Sequence, residues 1–111
     1  MTIELNEMEN QVKALANVTR LEILRVLDQP LEHFSHQESA DPVETGVCVQ
    51  LLADHFGVSQ PTISRHIELL KQAGFVKAKR LRKWTYCTRN EVALAEYADW
   101  LRTSLNIKSA L

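Results

Sequence analysis

A chain of 111 residues, 45% hydrophobic and 24% charged, holds enough apolar material for one domain, residues 1–111, with one modest core, which argues against disorder. No apolar run reaches the roughly 18 residues needed to span a membrane, and the acidic N-terminus MTIELNEMENQ lacks the apolar segment of a secretory signal. The formal net charge is −1, which by itself argues against a polyanion as partner, but the charges are unevenly distributed.

In chain order, Leu5, Met8, Val12, Leu15 and Ala16 recur at helical spacing and predict a first helix. Asn17, Val18 and Thr19 offer caps for a second amphipathic helix carrying Leu21, Ile23, Leu24 and Leu27, stopped by Pro30. Residues 30–46 are polar and read as a long connection, with a short helical piece around Leu31 to His36. Val47-Cys48-Val49 reads as a brief extended stretch. Leu51, Leu52, Ala53 and Phe56 mark a third helix that ends at Gly57. Ser59 caps a fourth helix, Pro61 sits in its first turn, and Ile63, Ile67, Leu69 and Leu70 form its apolar face up to Gly74. From Phe75 to Thr88 the period switches to two, which predicts a basic β-hairpin turning near Arg82. Asn90 then caps a last helix with Val92, Leu94, Ala95, Ala98 and Leu101.

The expected fold is therefore mainly α with a small β-hairpin and about five helices. The hairpin lies in the basic part of the chain. From Val58 to Asn90, eight basic residues accompany a single acid, Glu68, giving +7 and leaving −8 for the remainder. A basic segment on an acidic body orients a protein on a polyanion. A solvated charged hairpin is the plainer reading of the charge alone.

A helix, a tight glycine turn, a capped helix and a hairpin make the layout of a winged helix-turn-helix. In that layout the second helix enters the major groove with its N-terminal residues toward the bases. Those residues here are Ser59, Gln60, Thr62, Ser64, Arg65 and His66. Gln60 and Arg65 suit base edges, because Gln pairs with adenine and Arg with guanine in bidentate fashion. Thr62 suits a thymine methyl or a phosphate. Ser59, Ser64 and His66 suit phosphates. Lys79, Arg80, Arg82 and Lys83 suit the backbone or the minor groove. The plainer readings are a pure helix cap for Ser59 and a solvent-facing ring for His66.

The blocks NVTRLEIL, GVSQPTISRHIELLKQAGFV and KWTYCT in combination resemble the ArsR/SmtB family of bacterial repressors over most of the chain outside residues 30–46. The resemblance implies a homodimer built from the first and last helices and a recognition helix over Ser59 to Gly74. It also implies a wing over Lys77 to Thr88, a palindromic double-stranded DNA operator, and release by an effector. A dimer would also cover Leu5, Met8, Leu15, Val92, Leu94, Tyr97, Trp100 and Leu101, which five helices of one chain cannot easily hide; ordinary core residues are the plainer reading.

Many relatives bind metals through Cys-x-Cys at the third helix, where this chain has Cys48-Val49-Gln50. Others use ligands on the last helix, where residues 90–111 contain no His or Cys. The resemblance therefore does not extend to a metal site, and no cofactor is implied. Besides a small organic effector bound near residues 30–46, or no effector at all, two options stay open. His33 and His36 have a spacing that chelates a metal ion if helical, with Cys48 or Glu44 folding back to join them. Cys48 and Cys87 form a redox pair if their Cα atoms come within about 7 Å. A polar surface loop and two small packing residues are the plainer readings. Two cysteines in an unsecreted chain read as free thiols, and the cytoplasm is the expected location.

Catalysis finds no support. The chain shows no phosphate-cradling glycine loop, no motif of paired carboxylates and no nucleophile–base–acid arrangement. A winged helix serving only protein contacts is the remaining rival. The polar, cationic face of the fourth helix and the basic hairpin argue against it.

Overall fold

Asn17 sets the first internal boundary. Its backbone is extended (φ −156°, ψ 127°), and its side-chain oxygen accepts the Arg20 amide at 3.1 Å. That satisfies one of the donors left orphaned at a helix start. The computed structural model describes residues 5–109. Helix α1 spans Leu5–Leu15 and α2 spans Val18–Asp28, with Ile23, Leu24, Val26 and Leu27 buried.

Pro30 ends α2 as expected but also opens a new helix, α3 (Pro30–Phe34), where its missing N–H costs nothing. The described residues thus hold six helices, α3 being the short helical piece expected around Leu31 to His36. Phe34 provides the reason: its ring is fully buried and pulls this short helix into the core. The polar composition around it masks that single anchor.

The rest of the connection is tied down from inside. Gln37 is buried, and its Nε2 donates to the Ala40 and Gly46 carbonyls, both at 2.9 Å. Its Oε1 accepts the Cys48 amide at 2.8 Å. Asp41 accepts the Val43 and Glu44 amides at 2.8 and 3.0 Å, and these bonds hold its carboxyl below the usual carboxylate range.

Strand β1 (Val47–Cys48) runs directly into α4 (Val49–Phe56), so Val49 is helical rather than extended. Gly57 stops α4 in the left-handed region (φ 65°). Its N–H donates to the Asp54 carbonyl, and the Val58 N–H donates to that of Ala53. Helix α5 (Gln60–Gln72) follows.

Strands β2 (Val76–Leu81) and β3 (Trp84–Arg89) form the expected hairpin around Arg82 and Lys83, with Arg82 at φ 57°. Strand β1 pairs with the other edge of β3, so the hairpin belongs to a three-stranded antiparallel sheet of order β1-β3-β2. Gly46 permits that docking: a Cβ there would lie 2.6 Å from the Cys87 carbonyl oxygen. Helix α6 (Glu91–Ser104) starts at Asn90, whose side chain accepts the Ala93 amide at 3.2 Å.

Ile23, Phe34, Val47, Leu52, Ile63, Leu70, Phe75 and Cys87 form the driest part of the core. Each fully buried large apolar side chain among them contributes about 1.5–3 kcal/mol. Tyr97, expected among residues needing outside cover, packs edge-on against Phe75 at 5.4 Å and is buried. Leu5 and Val12 on α1 and Val92 on α6 remain exposed. No helix among the described residues is long and apolar enough to cross a membrane.

Candidate nucleic-acid interface

Helix α5 buries Ile63, Ile67 and Leu70. That spacing turns the opposite side outward, and Ser59, Gln60, Thr62, Ser64 and Arg65 are all exposed. The Ser59 hydroxyl accepts the Thr62 amide at 3.3 Å and donates to Thr62 Oγ1 at 2.9 Å. Ser59 is therefore the helix cap. The Thr62 hydroxyl, already accepting from Ser59, keeps its own proton for an outside acceptor.

The sheet places the wing beside this helix. Arg80 pairs across the hairpin with Thr85, and Lys79 with Tyr86, so the two cations point to opposite faces. Arg80 and Lys83 join Gln60, Ser64, Glu68, Lys71 and Trp84 around a groove of about 460 Å³ between α5 and the hairpin. The Lys83 ammonium lies 5.2 Å from the centre of the Trp84 ring, a cation–π distance. Arg82 is exposed at the tip. Thr62 and Arg65 are exposed but do not line the groove, so the polar surface of α5 has two flanks.

Three residues depart from the sequence reading. His66 is half-buried and sits 3.1 Å from an Arg20 nitrogen, so it is neither solvent-facing nor free for a phosphate through Nδ1. Arg89, counted in the basic segment, is spent internally. It makes two 2.7 Å bonds to Glu91, donates to the Leu24 carbonyl and lies 3.9 Å from Asp28. Lys71 was not singled out, yet it lines the groove, 3.8 Å from Glu68. The spacing of 60, 64, 68 and 71 along one helix face was the available signal.

Residues 47–78 match the family model described as "Bacterial regulatory protein, arsR family". The HTH-type transcriptional regulator YbzH of Bacillus subtilis strain 168 is 41% identical over 93 residues, covering 84% of this chain and 93% of that protein. The chain belongs to the ArsR family. It is a DNA-binding transcriptional regulator, and its relatives are regulators rather than enzymes. The transcriptional repressor SdpR, also of Bacillus subtilis, is 28% identical over 99 residues, covering 89% of this chain and 93% of that protein. Among solved structures, an ArsR family transcriptional regulator superposes with a TM-score of 0.71 at 20% identity, covering 96% of this chain and 94% of that one. A homodimeric winged helix-turn-helix DNA-binding domain from Mycobacterium bovis gives 0.60 at 24% identity, covering 92% of this chain and 81% of that one. These two similarities establish the winged-helix fold.

The sensing candidates of this ArsR-family chain are scattered. Helix α3 ends at Phe34, so His36 lies beyond it and the H-x-x-H pair does not share one helix face. The His33 ring packs against His55 at 5.4 Å, while His36 lines a cavity of about 260 Å³ with Cys48 and Trp84. Among the described residues no group of three or more His, Cys, Asp or Glu side chains is placed to hold a metal ion.

Cys48 and Cys87 come closer than the sequence alone permitted one to assume. Their strands are adjacent, but Cys48 opposes Tyr86 and Cys87 opposes Val47, so they are not a direct cross-strand pair. Both are buried free thiols. Burial, and secondarily the neighbouring Cys48, push the Cys87 thiol up to about 12. A protonated thiol is a poor nucleophile.

Proposed function

We propose that the whole chain acts as a single domain in the cytoplasm, pairing with a second copy through α1 and α6 to repress transcription from a palindromic operator. The exposed row Gln60, Thr62, Ser64 and Arg65, flanked by the basic wing, carries this reading. Gln60 and Arg65 address base edges and Thr62 a thymine methyl or a phosphate. Ser64 positions the helix on phosphates through its hydroxyl, and Ser59, whose hydroxyl proton goes to Thr62, through its backbone N–H at the helix start. Lys79, Arg80, Arg82 and Lys83 hold the flanking backbone or enter the minor groove. Exposed Leu5, Val12 and Val92 support the dimer, as does the homodimeric Mycobacterium bovis neighbour. SdpR supports repression over activation.

Footprinting on the DNA upstream of its own gene tests the proposal. The expected result is two protected half-sites about one helical turn apart. Binding that nonspecific competitor DNA removes completely would overturn it. Repeating the footprint with metals, oxidants and polysulfide tests release by an effector. Val12→Asp is expected to yield monomers by light scattering and to weaken operator binding.

A further inference from the structure

The Arg20 side chain on α2 reaches groups on two other helices. Nε donates to the Ala14 carbonyl at 2.8 Å, and one terminal nitrogen donates to the Lys13 carbonyl at 2.9 Å. Both carbonyls belong to the last turn of α1, where helix ends leave acceptors without partners and where a cation is favoured. The second terminal nitrogen lies 3.1 Å from His66 Nδ1 on α5.

A guanidinium has donors only. His66 Nδ1 must therefore accept, and the ring proton must sit on Nε2. A doubly protonated imidazole has no acceptor, so the contact exists only with the neutral ring. Burial, and then the Arg20 charge, hold the His66 pKa below its ordinary value of 6.5. Of the other titratable groups on the helices packed against α5, His55 on α4 packs its ring against His33 at 5.4 Å and Phe56 at 4.9 Å. Lys13 on α1 pairs with Glu9, Asp54 on α4 accepts from Gln50, and Glu68 on α5 pairs with Lys71. Arg65 adjoins His66 in sequence and is exposed.

We propose that Arg20 is a positioning residue for DNA reading, tying the end of α1 to the His66 edge of α5 and so fixing the angle at which the reading face meets the duplex. The proposal rests on α5 being the DNA-contacting helix. His66 lies between the core row of Ile63 and Ile67 and exposed Arg65, so a shift of its ring moves the flank that carries Arg65. Because α1 is also the helix assigned to the dimer, the same fork links subunit spacing to the tilt of α5. The fork opens when His66 is protonated.

The test uses the full-length protein and its own upstream duplex, with binding isotherms from pH 8 to pH 5.5. Arg20→Lys keeps the charge but loses the planar fork, and His66→Asn keeps an acceptor at the δ position without a titrating ring. Arg20→Lys, shown folded by circular dichroism and dimeric by light scattering, is expected to weaken specific binding at pH 8 by at least about fivefold, within the range of coupled neighbours. Each protein's affinity is then divided by its own value at pH 8. The wild-type ratio falls severalfold toward pH 5.5, while the His66→Asn ratio stays flat. A His66→Asn curve that follows the wild type overturns the proposal, whether or not Arg20→Lys folds. Folded Arg20→Lys that binds like the wild type also overturns it. Arg65→Ala on the same duplex separates the two claims. Unchanged binding by Arg65→Ala removes the DNA-reading role of α5. Weakened binding by Arg65→Ala beside unaffected Arg20→Lys removes the positioning role alone.

Discussion

Ser59 and Thr62 close a two-way hydrogen-bonded cycle at the start of α5: the serine hydroxyl accepts the threonine amide and donates to the threonine hydroxyl. One side chain thus satisfies an orphan helix donor and orients a neighbour on the proposed DNA-facing surface. Ser59→Ala is expected to cost about 1 kcal/mol of stability in chemical denaturation. Ser59→Asp keeps the capping acceptor but adds a negative charge. It is expected to leave stability near wild type while weakening DNA binding. Equal binding by Ser59→Asp and wild type would remove Ser59 from the phosphate contacts.

Arg65 and Lys83 are expected to fail differently. Arg65→Ala costs about 1–3 kcal/mol and relaxes sequence preference if the guanidinium reads a base, leaving the salt dependence nearly unchanged. Lys83→Ala weakens all sequences alike and lowers the salt slope by about one, as loss of a phosphate contact requires. Isotherms on specific and scrambled duplexes over a salt series check both. Swapped behaviour would exchange the two roles.

Arg89 and Glu91 give the fold a predictable acid limb. The Arg89 bonds hold the Glu91 carboxyl below the ordinary value of 4.5. A carboxylate depressed in the folded state adds stability above its unfolded pKa and loses it as pH falls through the folded value. Glu91→Gln is therefore expected to lower stability at neutral pH and to flatten the loss below about pH 4.5. Glu91 is largely exposed, so solvent screening keeps the effect small. Arg89→Ala costs more, about 1–3 kcal/mol, because its bond to the Leu24 carbonyl is partly buried. Thermal melts across pH 3 to 7 measure both.

Cys87 is fully buried, and its raised pKa keeps it a thiol at neutral pH. A thiol reagent at pH 8 is expected to label Cys87 only after denaturant is added, and Cys48 slowly before that. Peptide mapping after timed labelling distinguishes the two. Rapid native labelling of Cys87 would show that β3 opens readily and would favour a redox role for this residue.

The elements themselves were largely legible in the sequence, because their signals are local. Asn17, Ser59 and Asn90 cap helices through an amide three residues away, and Gly57 ends a helix through its own backbone freedom. The periods of the apolar residues on α5 and on the hairpin depend on nothing distant. Helix α3 and strand β1 are legible only in outline, as a short helical piece and a brief extended stretch, because their exact bounds depend on distant anchors: Phe34 entering the core and Cys87 offering a strand edge.

The candidate site divides in the same way. Sequence alone determined that a capped helix with polar residues at its start would precede a basic hairpin, since residue type and spacing fix both. Tertiary structure decided which charges remain available to DNA. Arg89 is consumed by Glu91, Asp28 and Leu24; His66 is turned toward Arg20, which lies 46 residues away; Lys71 is brought into the groove. The physical reason is that capping and periodicity act within one turn or one strand. A fork such as that of Arg20 exists only once three helices have packed and brought distant donors and acceptors within hydrogen-bonding range.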